Sequence, residues 1–323
     1  MRKRIIIACL VFALLLAVFV FCCFKIEGLS GIKSAFACFG IGQLEDGDYY
    51  MAQGHISKLD YPINDRMLEH AADRFTYVYE NYLKDSRTEV YFSIIPDKNY
   101  FLAAESGYQS YDYGELVSGM REKTDFMQYI DIFPLLSADD YYRTDSHWRQ
   151  EKILPVADAL LEAMGSEGSA DGYISNALPQ AFKGVYAGEI ALPVKAETLY
   201  YLTSPVLDEC IVTSYNTGMP QPAEMYSMEK AAGSDAYELF LSGNDALITV
   251  ENPNAASDRE LVIFRDSFGS SIAPLFVQSY AKITLVDLRY LNPDMLSRFL
   301  EFDSQDVLFL YSTMLLNNSL ALR

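Results

Sequence analysis

The chain has 323 residues, of which 50% are hydrophobic, so it is long enough for one large domain with an insertion or for two smaller domains. Nothing in its composition indicates long disordered stretches. Its 44 acidic and 25 basic residues give a formal net charge of −19. This balance argues against nucleic-acid binding, which requires clustered Lys and Arg to neutralise phosphates.

The N-terminus has the pattern of a membrane anchor. Three basic residues, Arg2, Lys3 and Arg4, precede an uninterrupted apolar run over 5–24. About 20 helical residues at about 1.5 Å each match the ~30 Å hydrocarbon core of a bilayer. Because basic flanks stay in the cytoplasm, we expect 1–25 to be a cytoplasmic tip and a transmembrane helix. The rest of this cell membrane protein is then extracytoplasmic.

A cleaved signal peptide is the alternative interpretation of this segment. Ala35-Phe36-Ala37 has the small-x-small form of a cleavage site, but it lies well beyond the apolar run, whereas cleavage sites usually follow closely. The cysteines outside the membrane segment are Cys38 and Cys210. The sequence leaves open whether they form a disulfide, and the fold must rest on its core in either case.

An α/β pattern follows the anchor. Residues 26–63 are interpreted as a linker and an irregular segment, and 64–323 as the main domain. Apolar spacing predicts a helix over 67–83, and a buried strand over 88–95 ends at a proline. Lys98 follows that strand at its carboxyl end, where open α/β sheets bind ligands. It is a weak candidate for a substrate contact, and a solvated loop lysine is the commoner role at such a position.

Further along, a short helix is predicted over 113–123 and a strand region, broken by a proline, over 126–136. An acid, an imidazole and the chain's only tryptophan then lie within Asp145-Ser146-His147-Trp148. His147 is the candidate general base, because imidazole titrates near pH ~6.5. Asp145 is placed to accept its second ring N–H and fix the tautomer.

A helix is predicted over 148–164, despite Pro155, which should kink or restart it. This would put His147 at a helix start, where the dipole opposes an imidazolium, with Asp145 as the counterweight. Residues 165–255 then read as a β-rich insertion. Within it, Gly243 and Asn244 are weak candidates for an oxyanion hole, and a plain Gly-Asn turn is the alternative.

The nucleophile candidate lies after a late apolar run. Leu261-Val262-Ile263-Phe264-Arg265 predicts a buried strand, and Asp266-Ser267-Phe268-Gly269 predicts the start of a helix. Ser267 would then lie at the carboxyl end of a strand, next to a helix N-terminus that can stabilise an oxyanion. Alternating helices and strands, with strands over 282–288 and 307–310 and a helix over 294–301, predict a mostly parallel sheet flanked by helices.

Each motif also has an ordinary structural interpretation. An Asp-x-His sequence is often a capped loop, and Asp-Ser after a strand is often a helix N-cap. A metal site built from Asp139, Asp140, Asp145 and His147 ranks low, because no second histidine lies at ligand spacing.

The two motifs together resemble a known family. Thr144-Asp145-Ser146-His147-Trp148 before a helix, with Arg265-Asp266-Ser267-Phe268 after a late strand, is similar to the DHHW family. That family is related to the AlgJ/AlgX-type proteins of polysaccharide O-acetylation, in the SGNH-hydrolase superfamily. The resemblance spans roughly 45–315 and implies an SGNH-hydrolase-like fold with a catalytic triad of Ser267, His147 and Asp145.

The motifs depart from the usual superfamily pattern in three ways. The serine motif follows the histidine motif, as in the AlgJ/AlgX-like branch. Arg265 stands where a glycine often precedes Asp-Ser. Ser146 stands where the family name has a histidine.

The resemblance implies a membrane-anchored enzyme that transfers an acyl group, namely acetyl, to a cell-envelope or exported polysaccharide. It further implies a membrane-bound O-acyltransferase as the partner that supplies the acyl group, and no metal or organic cofactor. Two alternatives remain open at this point. One is a carbohydrate acetylesterase with the same triad, and the other is a non-catalytic module for glycan binding or assembly.

Overall fold

The computed structural model describes residues 44–46, 48–166, 168–189 and 194–323. The expected anchor over 1–25, the alternative cleavage site near 35–37 and Cys38 lie outside the described residues. Among the helices that are described, none is both long and apolar enough to cross a bilayer.

The described residues form a mixed α/β fold with a large central sheet. Its strands and those of two small sheets are β1 (Leu44–Asp46), β2 (Tyr49–Ala52), β3 (His55–Lys58), β4 (Glu89–Ile95), β5 (Gln128–Tyr129), β6 (Ile174–Phe182), β7 (Glu197–Thr203), β8 (Ile211–Ser214), β9 (Gln221–Ala223), β10 (Leu247–Glu251), β11 (Glu260–Arg265), β12 (Lys282–Val286) and β13 (Asp306–Ser312). The α-helices are α1 (Asp65–Val78), α2 (Asn99–Ser106), α3 (Tyr113–Lys123), α4 (Leu154–Ala163), α5 (Val185–Glu189), α6 (Pro205–Glu209), α7 (Met228–Ala231), α8 (Phe268–Ile272) and α9 (Thr313–Leu316).

The central sheet has eight strands in the order β5-β4-β13-β11-β12-β10-β8-β9. The half from β5 to β12 is parallel, and the half from β12 to β9 is antiparallel. The carboxyl ends of β4, β11 and β13 therefore meet at one edge. This edge carries the functional site.

Alternating side chains on the central strands pack into two separate cores. Ile263 and Leu308 pack with the apolar side of α4. Phe264 and Phe309, the next residues along β11 and β13, pack with α1 on the opposite face. Because successive side chains of a strand point to opposite faces, a strand covered on both sides needs a continuous apolar run. That requirement explains the apolar sequences of β11 and β13.

Several predicted elements differ in detail from the observed ones. The strand region expected over 126–136 contains only β5 and then a 3₁₀ turn at Phe133–Leu135. Pro134 lies in that turn and has no N–H to pair in a sheet. The helix expected over 294–301 is a 3₁₀ helix at Pro293–Arg298.

The position expected for His147 at a helix start is wrong. The residues after it form a 3₁₀ turn at Gln150–Lys152, and α4 begins only at Leu154. Pro155 occupies the first turn of α4, where its missing N–H has no intrahelical partner to lose. His147 instead lies in an irregular turn between Tyr141 and Trp148, which form an isolated antiparallel bridge.

Two segments contribute more regular structure than their sequences indicate. Part of the segment expected to be irregular forms the antiparallel sheet β1-β2-β3, which we call the N-terminal hairpin sheet (44–58). In the β-rich stretch 165–255, β8, β9 and β10 extend the central sheet, and β6 pairs with β7 beside it.

Candidate active site

The structure brings together the serine, the histidine and the aspartate that the sequence analysis singles out. His147 Nε2 lies 2.7 Å from Ser267 Oγ, across a sequence separation of 120 residues. His147 Nδ1 lies 2.6 Å from Asp145 Oδ1. Because the carboxylate accepts the Nδ1 proton, Nε2 is free to accept the proton of the Ser267 hydroxyl. The arrangement suits transfer of a proton from a serine nucleophile.

Ser267 is held at a sharp turn between β11 and α8. The Asp266 carboxylate accepts the N–H of Phe268 at 3.1 Å and the N–H of Ser312 at 2.8 Å. The turn also requires Gly269, because a Cβ there would lie 2.6 Å from Arg265 Cβ. Asp266 thus fixes the backbone around the serine and ties it to the end of β13.

Asp145 is fully buried and is held by three donors at 2.9 Å or less, with the Ser146 hydroxyl as a fourth at 3.5 Å. It accepts the backbone N–H of His147 at 2.9 Å, the imidazole Nδ1–H and the N–H of Val185 at 2.9 Å. Burial raises the pKa of Asp145, but the charge and hydrogen bonds of His147 and the Val185 N–H outweigh it and lower the pKa to about 2. Asp145 is therefore a carboxylate at neutral pH.

Gly184 allows this contact with Val185. A Cβ at position 184 would lie 2.3 Å from Asp145 Cβ, far inside van der Waals contact. The Gly184 N–H also donates to Thr144 Oγ1 at 3.0 Å. The backbone at 184–185 therefore approaches the aspartate as closely as only glycine permits.

The imidazole plane is fixed by an aromatic side chain that sequence reasoning missed. The ring of Tyr237 stacks on His147 with centroids 3.9 Å apart and an angle of 9° between planes. The Tyr237 hydroxyl donates to Ser271 Oγ at 2.7 Å, and Trp148 Nε1 donates to the same oxygen at 2.8 Å. Nothing local marks Tyr237 among the 24 tyrosines of the chain.

The Glu197 carboxylate accepts hydrogen bonds from the segment that leads to Asp145. Its Oε1 accepts the N–H of Arg143 at 2.8 Å. Its Oε2 accepts the N–H of Thr144 at 2.8 Å and the Thr144 hydroxyl at 2.7 Å. Glu197 begins β7, so the β6-β7 sheet is anchored directly to the active-site segment. The sequence contained no signal for this role.

Lys98 lies beneath the same segment, and the solvated loop position considered for it is wrong. The side chain is only 2% exposed, and a contact with a substrate stays a prediction. Its Nζ donates to the carbonyl of Ile56, to that of Tyr142 at 3.1 Å and to that of Arg143 at 3.4 Å. Burial lowers the pKa of Lys98 to about 7, against the opposing effect of nearby carboxylates.

The two weak oxyanion candidates are engaged in other contacts. The Gly243 N–H donates to the Phe240 carbonyl at 2.9 Å. The Asn244 side-chain amide donates to Glu238 Oε1 at 2.8 Å. Gly243 belongs to a turn with positive φ at Leu241, Ser242 and Gly243. The structure thus gives these two residues a role in shaping the turn.

Arg265, which stands where the usual pattern has a glycine before Asp-Ser, donates hydrogen bonds to the turn around Gly243. Its guanidinium is fully buried and donates to the carbonyls of Gly243 at 3.1 Å and Asp245 at 3.2 Å. It also pairs with Asp287, with Arg265 Nη1 3.3 Å from Asp287 Oδ2. The buried charge is compensated by these partners.

A cleft of about 600 Å³ opens in front of Ser267. One wall comes from the N-terminal hairpin sheet and the residues after it, including Lys58 and Tyr61. The other comes from the end of β13 and from α9, including Met314. This volume lies within the range of about 300–1,000 Å³ that is typical of ligand sites.

Within the described residues, the structure also shows how the possible metal ligands and the thiol of Cys210 are placed. Over 44–323, apart from the undescribed positions, no group of three or more His, Cys, Asp or Glu side chains is placed to hold a metal ion. The thiol of Cys210 donates to the Val206 carbonyl at 3.2 Å, and burial raises its pKa to about 11.

Solved structures share this fold, whereas no protein-family model and no curated protein matches the chain. A DHHW family protein from Eubacterium siraeum has a TM-score of 0.68 at 19% identity, covering 85% of this chain and 94% of its own. PatB1 from Bacillus cereus with a sulfonyl adduct has a TM-score of 0.65 at 20% identity, covering 83% and 94%. A second structure of PatB1 from Bacillus cereus has a TM-score of 0.64 at 17% identity, covering 85% of this chain and 96% of its own. The resemblance to the DHHW family is thus confirmed at the level of the fold.

Proposed function

We propose that this chain is a serine-dependent acyltransferase that uses Ser267, His147 and Asp145. The observation that carries the proposal is the pair of short contacts on the two sides of the His147 ring, 2.7 Å to Ser267 Oγ and 2.6 Å to Asp145 Oδ1. A serine so placed, at the floor of an open cleft, has the arrangement of an activated nucleophile. The acetyl group and the polysaccharide acceptor come from the family resemblance.

The proposed reaction has two half-reactions. Ser267 Oγ attacks the carbonyl carbon of the acyl donor while His147 Nε2 takes the hydroxyl proton, and the imidazolium returns that proton to the leaving group. An acyl-Ser267 ester remains. His147 then takes the proton of a glycan hydroxyl, whose oxygen attacks the ester carbonyl. The product ester leaves, and the proton returns to Ser267 Oγ.

Asp145 stabilises the charge that His147 carries in both half-reactions. Its pKa of about 2 keeps it ionised while the imidazolium exists, so the proton stays on His147. Stacking on Tyr237 keeps the ring plane fixed between the two partners. These contacts preorganise the site before a substrate binds.

We further propose that the protein is anchored in the cell membrane by 5–24 with the catalytic domain outside. A membrane-bound O-acyltransferase would then supply the acyl group across the bilayer. Support for the anchor is the apolar run behind Arg2, Lys3 and Arg4. The partner is proposed from the family resemblance alone.

The test uses the full chain in detergent micelles and an activated acetyl ester, with and without oligosaccharide acceptors. Ser267→Ala should lower the rate of acetyl release by roughly 10³-fold or more. Ser118→Ala, which removes an exposed serine on α3, is the control and should behave as wild type. Acetylated oligosaccharide among the products supports transfer, whereas acetate alone supports a carbohydrate acetylesterase.

Labelling by a sulfonyl fluoride gives an independent readout. Wild type should gain the mass of one sulfonyl group on Ser267, and the alanine variant should not. If wild type is inert towards both the esters and the sulfonyl fluoride, the catalytic proposal is abandoned. A non-catalytic module for glycan binding or assembly would then be the better interpretation.

A further inference from the structure

A buried ammonium joins two separate parts of the active-site framework. Lys98 follows β4 and reaches between the N-terminal hairpin sheet and the segment 142–145. Its Nζ donates to the Ile56 carbonyl on one side and to the Tyr142 and Arg143 carbonyls on the other. In the protonated form, which predominates below the pKa of about 7, the three acceptors match the three protons of the ammonium.

The backbone N–H and carbonyl of Arg143 are fixed by side chains of opposite charge, Glu197 and Lys98 respectively. The Arg143 carbonyl accepts from Lys98 Nζ and from the Ile56 N–H, the latter at 2.7 Å. The Arg143 N–H donates to the Glu197 carboxylate at 2.8 Å. Asp145 lies two residues further along, so a shift of this segment would move the carboxylate away from His147.

The free-energy cost of burying the Lys98 charge indicates that this side chain does more than fill space in the core. An ammonium leaves water unfavourably unless partners replace its hydration, and a neutral side chain would avoid this loss. The carboxylates of Asp97, Asp145 and Glu197 all act on its charge, and the ring of Tyr186 lies 5.0 Å from Nζ. The charge is therefore embedded among the groups that define the Asp145 position.

We propose that Lys98 is a positioning residue for the reaction: it holds 142–145 against the N-terminal hairpin sheet and so keeps Asp145 within hydrogen-bonding distance of His147 Nδ1. This inference rests on the proposed function of Ser267, His147 and Asp145. Through Lys98, the N-terminal hairpin sheet would help to determine the position of Asp145.

The experiment compares Lys98→Met with wild type by proton NMR and by kinetics. The proton shared by His147 Nδ1 and Asp145 should give a signal far downfield of the amide region, identified by its absence in His147→Gln. We expect this signal to be lost or strongly broadened in Lys98→Met. For the acetyl ester, kcat should fall by about 10²-fold while KM changes by less than about threefold, as expected for misplaced catalytic groups.

Lys123→Met, which removes an exposed lysine at the end of α3, is the matched control and should retain both the signal and the rate. A folded Lys98→Met that keeps the wild-type signal and kcat would overturn the proposal. If Lys98→Met does not fold, Lys98→Gln is measured in the same way. Failure of both variants to fold would also overturn it, because the role of Lys98 would then be structural.

The NMR readout separates this inference from the proposed function. If wild type shows the downfield proton but no turnover, the proposed activity fails. Loss of that proton in Lys98→Met would still support positioning of Asp145 by Lys98. If turnover falls in Ser267→Ala but not in Lys98→Met, the activity stands and the positioning role fails.

Discussion

At the scale of single residues, the two aspartates near the reacting groups have different roles. Asp145 accepts the His147 Nδ1–H and is placed to act on the imidazolium. Asp266, next to Ser267 in sequence, accepts two backbone N–H groups instead. The sequence motif pairs Asp145 with His147 and assigns no role to Asp266. The hydrogen bonds separate a carboxylate that contacts the histidine from one that shapes the backbone.

This division predicts opposite outcomes for the two Asp→Asn variants. Asp145→Asn should lower kcat by roughly 10³–10⁴-fold, because an amide does not hold the productive tautomer of His147. Asp266→Asn should instead lower the free energy of unfolding by about 1–3 kcal/mol, because the amide NH₂ cannot accept the N–H of Phe268 or of Ser312 at one position. Ester kinetics and urea denaturation measure the two effects. Equal effects of both variants on kcat would contradict the assignment.

At the scale of elements, the N-terminal hairpin sheet is the part of the site that sequence reasoning could least anticipate. Its strands are only three or four residues long, and Gly54 turns the chain between two of them at a positive φ of 81°. Such short strands carry too few alternating residues for a periodicity signal. Their stability comes from contacts with distant residues, such as the bond between the Ile56 N–H and the Arg143 carbonyl.

The central strands were predictable for the opposite reason. The sequences of β11 and β13 contain continuous apolar runs, and that of β4 is interrupted only by Ser93, because helices cover both faces of the sheet. The helix α1 shows a clear apolar stripe. Asp145, His147 and Ser267 could be singled out from the sequence because their residue types and motifs are local. Glu197, Tyr237 and the true position of Lys98 were not found, because each acts through contacts between segments far apart in sequence.

The hairpin sheet should also give the protein a sensitivity to acid. His55 begins β3 and is 2% exposed, and burial, followed by the charges of Lys98, Arg143 and Arg149, lowers its pKa to about 3 from 6.5. Between these values the unfolded chain binds a proton that the folded chain does not. Stability from this residue is therefore fully present above about pH 6.5 and is lost as the pH falls towards 3, by at most ~1.4 kcal/mol per pH unit.

We expect His55→Leu to reduce the slope of unfolding free energy against pH between about 6.5 and 3. Urea denaturation at a series of pH values measures this slope. For each protein, the free energy of unfolding is expressed relative to its value at pH 8, where His55 is neutral in both the folded and the unfolded chain. This removes any constant difference in stability between wild type and His55→Leu. An unchanged slope would show that His55 does not become protonated on unfolding in this range.

At the scale of the whole molecule, the site is assembled from most of the length of the domain. The hairpin sheet precedes Asp145 and His147 in sequence, Ser267 follows His147 by 120 residues, and Ser312 closes the turn beside it. The parallel half of the sheet brings these parts to one edge. With Arg2, Lys3 and Arg4 before the apolar run, the proposed anchor lies on the N-terminal side of the hairpin sheet, which forms one wall of the cleft.

The proposed anchor predicts how the protein fractionates. The full chain should remain in the membrane pellet after carbonate extraction, because ~20 apolar residues bury a full bilayer span. A chain of residues 26–323 expressed in the same cells should be recovered in the soluble fraction. N-terminal sequencing distinguishes retention of 5–24 from cleavage near residue 37. Release of the full, uncleaved chain by carbonate would contradict the anchor.

The close approach of Gly184 to Asp145 also restricts which residues position 184 can accept. This position has no reactive group and does not line the cleft, yet any added side-chain carbon would meet Asp145 at 2.3 Å. Natural selection or a laboratory library would therefore retain glycine here. Backbone proximity sets this restriction, and the chemistry of the side chains alone would not reveal it.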